Sequence, residues 1–540
     1  MASEKVYLRQ SVKVEPLFNQ WYAWSCLIAP ATAAMYVANS HLKIMQSFAA
    51  SPQIHVSALK NPAMRGGPFI NYDESRTADI KALIERTTRE SAPLLEFARA
   101  VQVVNEMLAG EADGSSLEPL YERVPEALRG YVELVYDLNN NASIRFIEGL
   151  LYESPYYDES AQSVALSLVE EDERPFALST PSLKGAGSLH LNIPFRAEEW
   201  SELFRMKEVA QPLDRIRELL RVPPEEEELF ASFFTTEAPP AADRYAEKNV
   251  RVRYLNHACV LIESAGTSVL IDPLVSYSYP SDVPRYTFAD LPEKIDYVVI
   301  THNHQDHCVF ETLLQLRHKT GSVIVPKNNG GGLADPSLKL VLQRLGFKNV
   351  RELDEMETVE IEGGSITGLP FLGEHADLNI RTKMAHLVRM GGQSVLCCAD
   401  SNNIEPRLYD HIHRAVGDID AMFLGMECDG GPLSWLYGPL ITRPIPRKID
   451  QSRRLDGSDH AKGIGIIEKL NPKHVYVYAM GQEPWLTFLT SIQYTDESHP
   501  IVESNKLVAD CRARGIESER LYGHKEILLG GRAQAGAATT

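Results

Sequence analysis

Three histidines and one aspartate lie within residues 302–307, directly after a short apolar run. That run has the composition of a buried strand, and polar side chains that leave its end need polar partners or metal ions. His302 and His304 are two residues apart, so both side chains point the same way from an extended segment. Asp306 and His307 follow on the next turn. This pattern predicts a site for two metal ions a few ångströms apart.

The segment matches the H-x-H-x-D-H signature of the metallo-β-lactamase fold. Residues 269–273 resemble that family's early strand, and the resemblance implies that Asp272 hydrogen-bonds a ligand histidine. Residues 395–400 resemble the later strand whose final aspartate, here Asp400, bridges both metals. The resemblance covers residues 250–530. The superfamily includes hydrolases, nucleases, flavodiiron reductases and oxygenases, so the fold alone does not select the reaction.

Two positions depart from the hydrolase pattern. Between the signature and the bridging aspartate, hydrolases have a ligand histidine, whereas residues 371–377 offer Glu374, with His375 as the alternative. Hydrolases also carry a last histidine just after their final long strand, and here the next one is the distant His499. Two histidines are thus replaced by one carboxylate. The predicted ligands are His302, His304, Asp306, His307, Glu374 and Asp400.

Three imidazoles and three carboxylates make an anionic site with open positions, which suits iron and dioxygen better than zinc. A degenerate dizinc site or an inactive site is the alternative. The chain also resembles a narrower family, the diiron β-hydroxylases of chloramphenicol biosynthesis. The resemblance rests on the signature near residue 300 of 540, on the glutamate, and on residues 26–34 and 66–69, which look like that family's N-terminal domain.

The resemblance implies an oxygenase that uses two iron ions with an oxo or hydroxo bridge, dioxygen and an external electron donor. Glu374 and Asp400 would stand at the reacting centre. The implied substrate is an amino acid or acyl group tethered to a carrier domain of a nonribosomal peptide synthetase. The family also suggests a homodimer, an external reductase, and an N-terminal domain that serves dimerisation or docking without metal ligands.

Three other classes compete with this interpretation. A dizinc hydrolase of an ester, lactone or thioester would use the same fold with different metals. A flavodiiron reductase usually carries a C-terminal flavodoxin domain and replaces the second signature histidine, which is intact here as His304. An inactive scaffold would not need the complete ligand set. No flavin or nicotinamide fingerprint is visible, so electrons are expected from outside.

Several further residues are candidates. Glu427 follows the apolar run 421–424, so it is an additional ligand, a nearby acid or an ordinary carboxylate. His460 begins a predicted helix and is a weaker candidate. Trp435 and Tyr437 could roof the pocket or pack in the core. A basic segment, residues 443–454, could attract an acidic carrier domain or be a solvated loop, and its candidates are Arg447, Arg453 and Arg454.

The chain divides by composition. Helical periodicity within residues 94–108 and a strand-like pattern at 188–194 predict a mostly helical α+β N-terminal domain over 1–222. Proline and glutamate runs predict a linker over 223–248. Short apolar runs and later helices predict a metallo-β-lactamase-like αβ/βα sandwich over 249–530, and 531–540 is predicted to be disordered. The apolar runs are 259–263, 268–271, 297–300, 322–325, 394–398, 421–424 and 474–478.

The composition excludes some functions. Lys and Arg number 54 against 73 for Asp and Glu, a net charge of −19 that disfavours nucleic acid as a partner. Seven cysteines without a C-x-x-C pair predict a reducing cytoplasm. Residues 21–38 are apolar but contain Pro30, so they predict a buried helix and no membrane span. No signal-peptide pattern is visible at the N-terminus.

Overall fold

The computed structural model describes residues 5–530, so the predicted disordered tail, 531–540, lies outside the described residues. The N-terminal part, residues 5–239, combines helices with short strands. Its strands are β1 Lys5–Leu8, β2 Val12–Phe18, β3 Trp21–Tyr22, β4 Val132–Tyr136, β5 Ala142–Phe146, β6 Gln162–Leu168, β7 Leu189–Leu191, β8 Gln211–Pro212 and β9 Phe234–Thr235. Its helices are α1 Ser25–Ile28, α2 Pro30–Tyr36, α3 Leu42–Ala50, α4 Pro52–Leu59, α5 Thr77–Glu90, α6 Ala92–Glu111, α7 Glu148–Leu151, α8 Glu198–Arg205, α9 Leu213–Leu219 and α10 Glu227–Ser232.

Helix α6 carries the apolar face predicted within residues 94–108, and Leu94, Val101 and Val104 on that face are buried. The apolar stretch 21–38 forms β3, α1, α2 and the start of a π-helix over Val37–His41, and all its residues except Ala38 are buried. Within residues 5–530, no helix combines the length and the apolar character needed to cross a bilayer. The four-stranded sheet β3-β2-β6-β7 was not predicted beyond its last strand.

The C-terminal part, residues 250–530, is built from strands and longer helices. Its strands are β10 Val250–Asn256, β11 Cys259–Ser264, β12 Thr267–Ile271, β13 Ile295–Val299, β14 Thr320–Pro326, β15 Val350–Leu353, β16 Thr358–Ile361, β17 Gly364–Leu369, β18 Ala385–Met390, β19 Gln393–Cys397, β20 Ala421–Gly425, β21 His474–Tyr478, β22 Glu517–Arg520 and β23 Lys525–Leu529. Its helices are α11 Phe310–Leu316, α12 Leu338–Arg344, α13 Arg407–Val416, α14 Leu433–Tyr437, α15 Arg447–Ser452, α16 His460–Leu470, α17 Thr487–Thr490 and α18 His499–Ala513.

Two seven-stranded sheets face each other in this part. Their strand orders are β15-β14-β13-β12-β11-β10-β23 and β16-β17-β18-β19-β20-β21-β22. Apolar side chains from both sheets, such as Val252 and Phe423, form the core between them. Helices α13, α16 and α18 cover the outer face of the second sheet. The predicted αβ/βα sandwich is therefore confirmed, and each predicted apolar run overlaps a strand.

The N-terminal part packs against the outer side of the first sheet. One apolar cluster contains residues of α2 and α6 together with residues of α11 and α12. The interval predicted as a linker, 223–248, contains α10 and β9, and β9 pairs with β1. The first half of that interval is therefore folded, while the position of the domain boundary stays a prediction.

Candidate metal centre

The histidine signature leaves the carboxyl end of β13, next to the end of β12. Parallel pairing places Val299 beside Ile271, so the residues that follow the two strands meet. The carboxylate of Asp272 accepts hydrogen bonds from the backbone N–H of Thr301, at 2.7 Å, and from its hydroxyl. It also lies 2.8 Å from Nδ1 of His307. Asp272 therefore orients the His307 ring so that Nε2 points away from it.

One group of converging ligand atoms comes from His302, His304 and Glu374, which are all buried. Nδ1 of His304 lies 2.8 Å from Oε1 of Glu374, and Nε2 of His302 lies 3.8 Å from Oε2 of the same carboxylate. On its far side, Nε2 of His304 lies 2.7 Å from the hydroxyl of Tyr437. His375 stacks on the His304 ring with centroids 4.5 Å apart and belongs to no converging group within the described chain.

Two further groups of converging ligand atoms are linked to the first by shared histidines. His302, His307 and Asp400 form one of them, and His257, Asp306 and His307 form the other. Oδ2 of Asp400 lies 3.1 Å from Nε2 of His307 and 3.8 Å from Nε2 of His302. Asp400 thus stands between the two halves of the site. Nε2 of His257 lies 3.3 Å from Oδ2 of Asp306.

The atoms that face this space form no hydrogen bonds within the protein, although Nε2 of His307 lies 3.1 Å from Asp400 and Oε2 of Glu374 lies 2.9 Å from Nδ1 of His375. Nε2 of His302, Nε2 of His307, Oε2 of Glu374 and Oδ1 of Asp400 are buried without a hydrogen bond. Buried polar atoms cost free energy unless they are paired. Four such atoms, borne by imidazoles and carboxylates that converge on one space, are the donor set of a dinuclear metal centre. The residues present therefore fit two metal ions.

Electrostatics agree with this arrangement. Burial and the neighbouring histidines hold the pKa of His302 well below its usual range, so its Nε2 lone pair is free. Burial opposes ionisation of Glu374, but His304 and His375 together outweigh it and lower the pKa of that carboxyl to about 2. Metal ligands must be deprotonated, and both groups meet that condition at neutral pH.

Glu427 lies at the end of β20 and lines the same cavity. Its Oε1 accepts hydrogen bonds from the backbone N–H groups of Asp429 and Gly430, at 3.1 and 2.9 Å. Its Oε2 is buried and has no partner. Burial raises the pKa of Glu427 to about 7, with contributions from the charges of Asp429 and Asp400. Glu427 therefore offers one free oxygen to the centre.

Non-glycine residues in the left-handed region of backbone space cluster around the site. The φ angles of His257, Asp272, Glu374 and Ala399 are 46°, 40°, 63° and 49°. Such conformations cost on the order of 1–3 kcal/mol each and persist where the surrounding structure enforces them. Glu374 is thus held in a strained turn that aims its carboxylate at the two histidines.

A cavity of about 320 Å³ opens onto these ligands. Trp435 lines it, and its indole Nε1 donates to the carbonyl of Gly66 in the N-terminal part, at 3.0 Å. A side chain at Gly66 would meet that indole nitrogen at 3.1 Å, and its φ of 70° also requires glycine. Arg65 beside it also lines the cavity, so both parts of the chain form the wall.

Some predicted site residues lie elsewhere. Tyr437 does not roof the cavity, because it is buried and contacts His304 from outside. His460 lies 3.3 Å from Asp510 and belongs to no converging group among residues 5–530. Arg453 donates to the carbonyl of Ala376, at 2.8 Å. This hydrogen bond connects the basic segment to the loop that carries Glu374. Arg454 likewise donates to the carbonyls of Asp429 and Gly430.

Two contacts of the site have little signal in the sequence. His257 lies beside the first strands, which suggests a place next to the ligands, and its ring closes one of the converging groups. Its position on a two-residue turn between β10 and β11 gave no ligand spacing. Arg65 had no signal apart from its place before Gly66 and Gly67.

Two known protein families match this chain. Residues 251–420 match the beta-lactamase superfamily domain, which agrees with a sandwich that carries a dinuclear centre at its strand ends. Residues 7–239 match the diiron non-heme beta-hydroxylase N-terminal domain. The molecule is thus a metalloenzyme of the β-lactamase superfamily with a specific N-terminal domain.

A curated relative from Streptomyces venezuelae, 4-amino-L-phenylalanyl-[CmlP-peptidyl-carrier-protein] 3-hydroxylase, is 43% identical over 536 residues, which are 97% of this chain and 99% of that protein. The crystal structure of CmlA, a diiron beta-hydroxylase from Streptomyces venezuelae, matches 98% of this chain and 100% of its own, with a TM-score of 0.91 and 41% identity. A glutamate-to-aspartate variant of CmlA matches 97% and 100% of the two chains, with a TM-score of 0.89 and 40% identity.

The chain therefore belongs to the diiron non-haem β-hydroxylase family. It is an oxygenase, and its cofactor is a pair of iron ions. This membership confirms the predicted fold class, enzyme class and metal, and the dizinc hydrolase alternative is set aside.

Proposed function

We propose that the enzyme hydroxylates the β-carbon of an aminoacyl group that is tethered to a carrier protein of natural-product assembly. The observation that carries this proposal is the match over almost the whole chain to a relative that acts on such a tethered group. The cavity supports it, because Trp435, Leu455 and Met480 give it apolar walls and Arg65 gives it a cationic edge. A pocket of this kind suits an apolar side chain that enters from the surface.

We assign the ligands by the converging groups. His302, His304 and Glu374 would hold one iron ion, Asp306 and His307 would hold the other, and Asp400 would bridge them. These are the six residues predicted from the sequence. Glu427 is a further candidate, since its free oxygen lines the same cavity. Asp272 would orient His307, and His257 would orient Asp306.

When bound, the two iron ions supply the reductive activation of dioxygen that hydroxylation requires. The chain's own residues hold the ligand side chains in position and shield the cavity from water. Asp272 and Tyr437 fix the rings of His307 and His304 from outside the cavity. Trp435, held by Gly66, closes the wall toward the N-terminal part and excludes water. One oxygen atom of dioxygen leaves as water, which consumes two electrons, and we propose an external reductase as their source.

The ligand assignment is tested by metal content. Protein expressed with iron should contain two iron ions per chain, and Glu374→His should lose iron in favour of zinc, because a neutral ligand replaces an anionic one. The matched control is His55→Gln, which removes a buried imidazole whose Nδ1 accepts from the backbone N–H of Ile70 and which belongs to no converging group in the described chain. Full hydroxylation by Glu374→His, or equal loss of iron from both variants, would contradict the assignment.

We propose that the carrier protein docks beside α15. Helix α15 lies against α14, which carries Trp435, because Ser434 donates two hydrogen bonds to Asp450. Arg443, Arg447 and Lys448 are exposed on this segment. Carrier domains are typically acidic and present a phosphopantetheine phosphate, so these cations would attract both. The predicted contribution of Arg453 and Arg454 is revised, since their side chains hold backbone carbonyls.

The docking proposal is tested by charge reversal. Arg447→Glu with Lys448→Glu should raise KM for an aminoacyl-carrier substrate by roughly 10-fold and flatten its salt dependence, while iron content stays constant. The matched control is Arg407→Glu with Arg414→Glu on α13, which contributes no residue to the cavity wall. Equal KM for both double variants would exclude docking here, and efficient turnover of the free amino acid would exclude a carrier.

We further propose a homodimer in a reducing cytoplasm. The family resemblance supports the dimer, and sedimentation velocity at micromolar concentration tests it, because a monomer would exclude it. All seven cysteines are free, and six of them are buried as thiols, which fits a reducing compartment. Subcellular fractionation of the producing cells tests that location.

A further inference from the structure

A second cluster of metal-ligating side chains lies at the rim of the cavity. Cys428 and Asp429 follow β20, and His499 is the first residue of α18. Sγ of Cys428 lies 3.7 Å from Nδ1 of His499, and the same Nδ1 lies 2.8 Å from Oδ1 of Asp429. The three ligand atoms all lie within 4.8 Å of one another. They are separate from the diiron ligands, because Cys428 and His499 do not line the cavity.

The donor types and spacing suit one class of ion. Bonds of about 2.0–2.3 Å in a tetrahedral zinc site place neighbouring ligand atoms about 3.3–3.8 Å apart. The sulfur–nitrogen separation of 3.7 Å already has that value, and the nitrogen–oxygen separation of 2.8 Å needs to widen by a side-chain rotation of the exposed Asp429. A thiolate, an imidazole and a carboxylate together favour zinc over magnesium or calcium, which prefer oxygen ligands.

The surroundings favour a cation and leave the thiol accessible. Nε2 of His499 lies 3.8 Å from Oε1 of Glu503, which also pairs with Lys506 at 2.6 Å, so a second carboxylate, shared with a lysine, is next to the ring that presents Nδ1 to the cluster. Cys428 is the single cysteine of the seven that is not buried. Arg454 binds the backbone carbonyl of Asp429, so the Asp429 carboxylate is left to His499.

We propose that Cys428, Asp429 and His499 bind one zinc-class divalent cation in addition to the two iron ions. The fourth position of this ion is open to water. Because Glu427 and Asp429 line the cavity, the ion would tie the cavity wall at the end of β20 to the start of α18. This site is independent of the substrate proposal above.

The test uses the iron-loaded full-length enzyme and zinc itself. After equilibration with micromolar zinc and removal of free metal, two iron ions and one zinc ion per chain are expected. Zinc should also slow alkylation of Cys428, followed by intact mass, by more than 10-fold. Cys428→Ser should lose the third metal, and His499→Gln should lose both the metal and the protection of the thiol.

The matched control is His413→Gln. His413 is a partly exposed histidine that lies 2.8 Å from Asp418, but no cysteine joins that pair in the described chain. The control should retain the third metal and the protected thiol. The proposal is overturned if zinc only displaces iron, if alkylation is unaffected by zinc, or if His499→Gln retains zinc as well as the control does.

Discussion

Two buried polar clusters of the molecule differ in one respect. In the metal centre, four of the converging atoms are buried without a hydrogen bond. In the second cluster, Arg174 donates to both oxygens of Glu311, at 3.0 and 2.9 Å, and to Glu15 at 2.9 Å. The hydroxyl of Tyr277 also donates to Glu311, at 2.7 Å.

This difference distinguishes a polar cluster that serves function from one that stabilises the fold. A buried charge that is paired with opposite charges holds parts of a chain together, and the two terminal nitrogens of Arg174 join Glu15 in β2 of the N-terminal part to Glu311 in α11 of the C-terminal part. A buried group left unpaired costs stability unless a ligand joins it. We therefore expect variants of the metal centre to change chemistry and variants of the Arg174 cluster to change stability.

The largest effect is expected for Asp400→Asn. The variant keeps the shape of the side chain but removes the charge between the two halves of the centre, so turnover should fall more than 100-fold, since even outer partners of metal sites cost about 10–100-fold. The unfolding free energy of the metal-free protein should change by less than about 0.5 kcal/mol. Metal analysis and denaturant titration check both parts. A large loss of stability in the metal-free protein would contradict the distinction between the metal centre and the Arg174 cluster.

The opposite result is expected for Arg174→Met. It leaves Glu311 buried without its cation, while Glu15 keeps its ion pair with Lys13 at 3.2 Å. Removing one partner of a buried ion pair typically costs about 3–5 kcal/mol. Denaturant titration should show this loss, while the folded variant still binds two iron ions. The double variant Arg174→Met with Glu311→Gln should recover part of the stability. Loss of iron from a variant that is still folded would contradict the separation of the two clusters.

Lys207 lies near the Arg174 cluster, but its ammonium group has no hydrogen-bond partner, so it tests the comparison between paired and unpaired buried groups. Its Nζ is buried without a hydrogen bond and lies 4.3 Å from the ring centroid of Phe288. Burial lowers the pKa of Lys207 to about 7, although Glu311 opposes the shift. Between pH 7 and the unfolded value of 10.5 the unfolded chain holds more of the Lys207 proton than the folded one, so the contribution of Lys207 to wild-type stability should rise with pH across that interval.

Lys207→Met should abolish that rise. Below pH 7 the variant should be more stable than wild type by roughly 2–4 kcal/mol, and the difference should vanish toward pH 10. Denaturant titration at several pH values measures it. A pH-independent difference would show that Lys207 is already paired in solution.

The smallest effect is expected for Tyr437→Phe, which removes a partnered polar group from the metal centre. Loss of the contact to His304 should weaken iron binding by about 10-fold, and the fold should persist. The control is Tyr36→Phe, whose hydroxyl donates to the carbonyl of Leu436 in the same region without touching a histidine. Equal iron affinity of both variants would show that Tyr437 serves packing alone.

Much of the fold followed from local pattern. The apolar runs of the C-terminal part overlap strands because fully buried strands read as continuous apolar stretches. Strands β16, β17 and β18 were not predicted. Glu360 in β16 and Arg389 in β18 interrupt their apolar pattern, and Gly368 lies within β17. In the N-terminal part, β2 carries Lys13, Glu15 and Pro16, and it became a strand through its seven-residue pairing with β6, which lies far along the chain.

The sequence by itself determined the donor types and the signature, and hence a dinuclear centre rich in carboxylates. The tertiary structure decided which atoms converge. Glu374 and His375 are adjacent and equally polar, but a backbone φ of 63° turns Glu374 toward the two histidines. That angle is enforced by packing from distant segments, which short-range sequence does not encode.

Packing between distant segments also explains why the sequence did not indicate the role of the N-terminal part. Its sequence showed no ligand spacing, and none of its residues joins a converging group within residues 5–530. Yet the hydroxyl of Ser25 donates to the side-chain oxygen of Asn303, between the two signature histidines, and lies 3.2 Å from the backbone carbonyl of the same residue. Hydrogen-bond donors such as serine are common along any chain, so spacing alone cannot mark this one. Only the packing of α1 against the signature makes the N-terminal part a support of the metal centre.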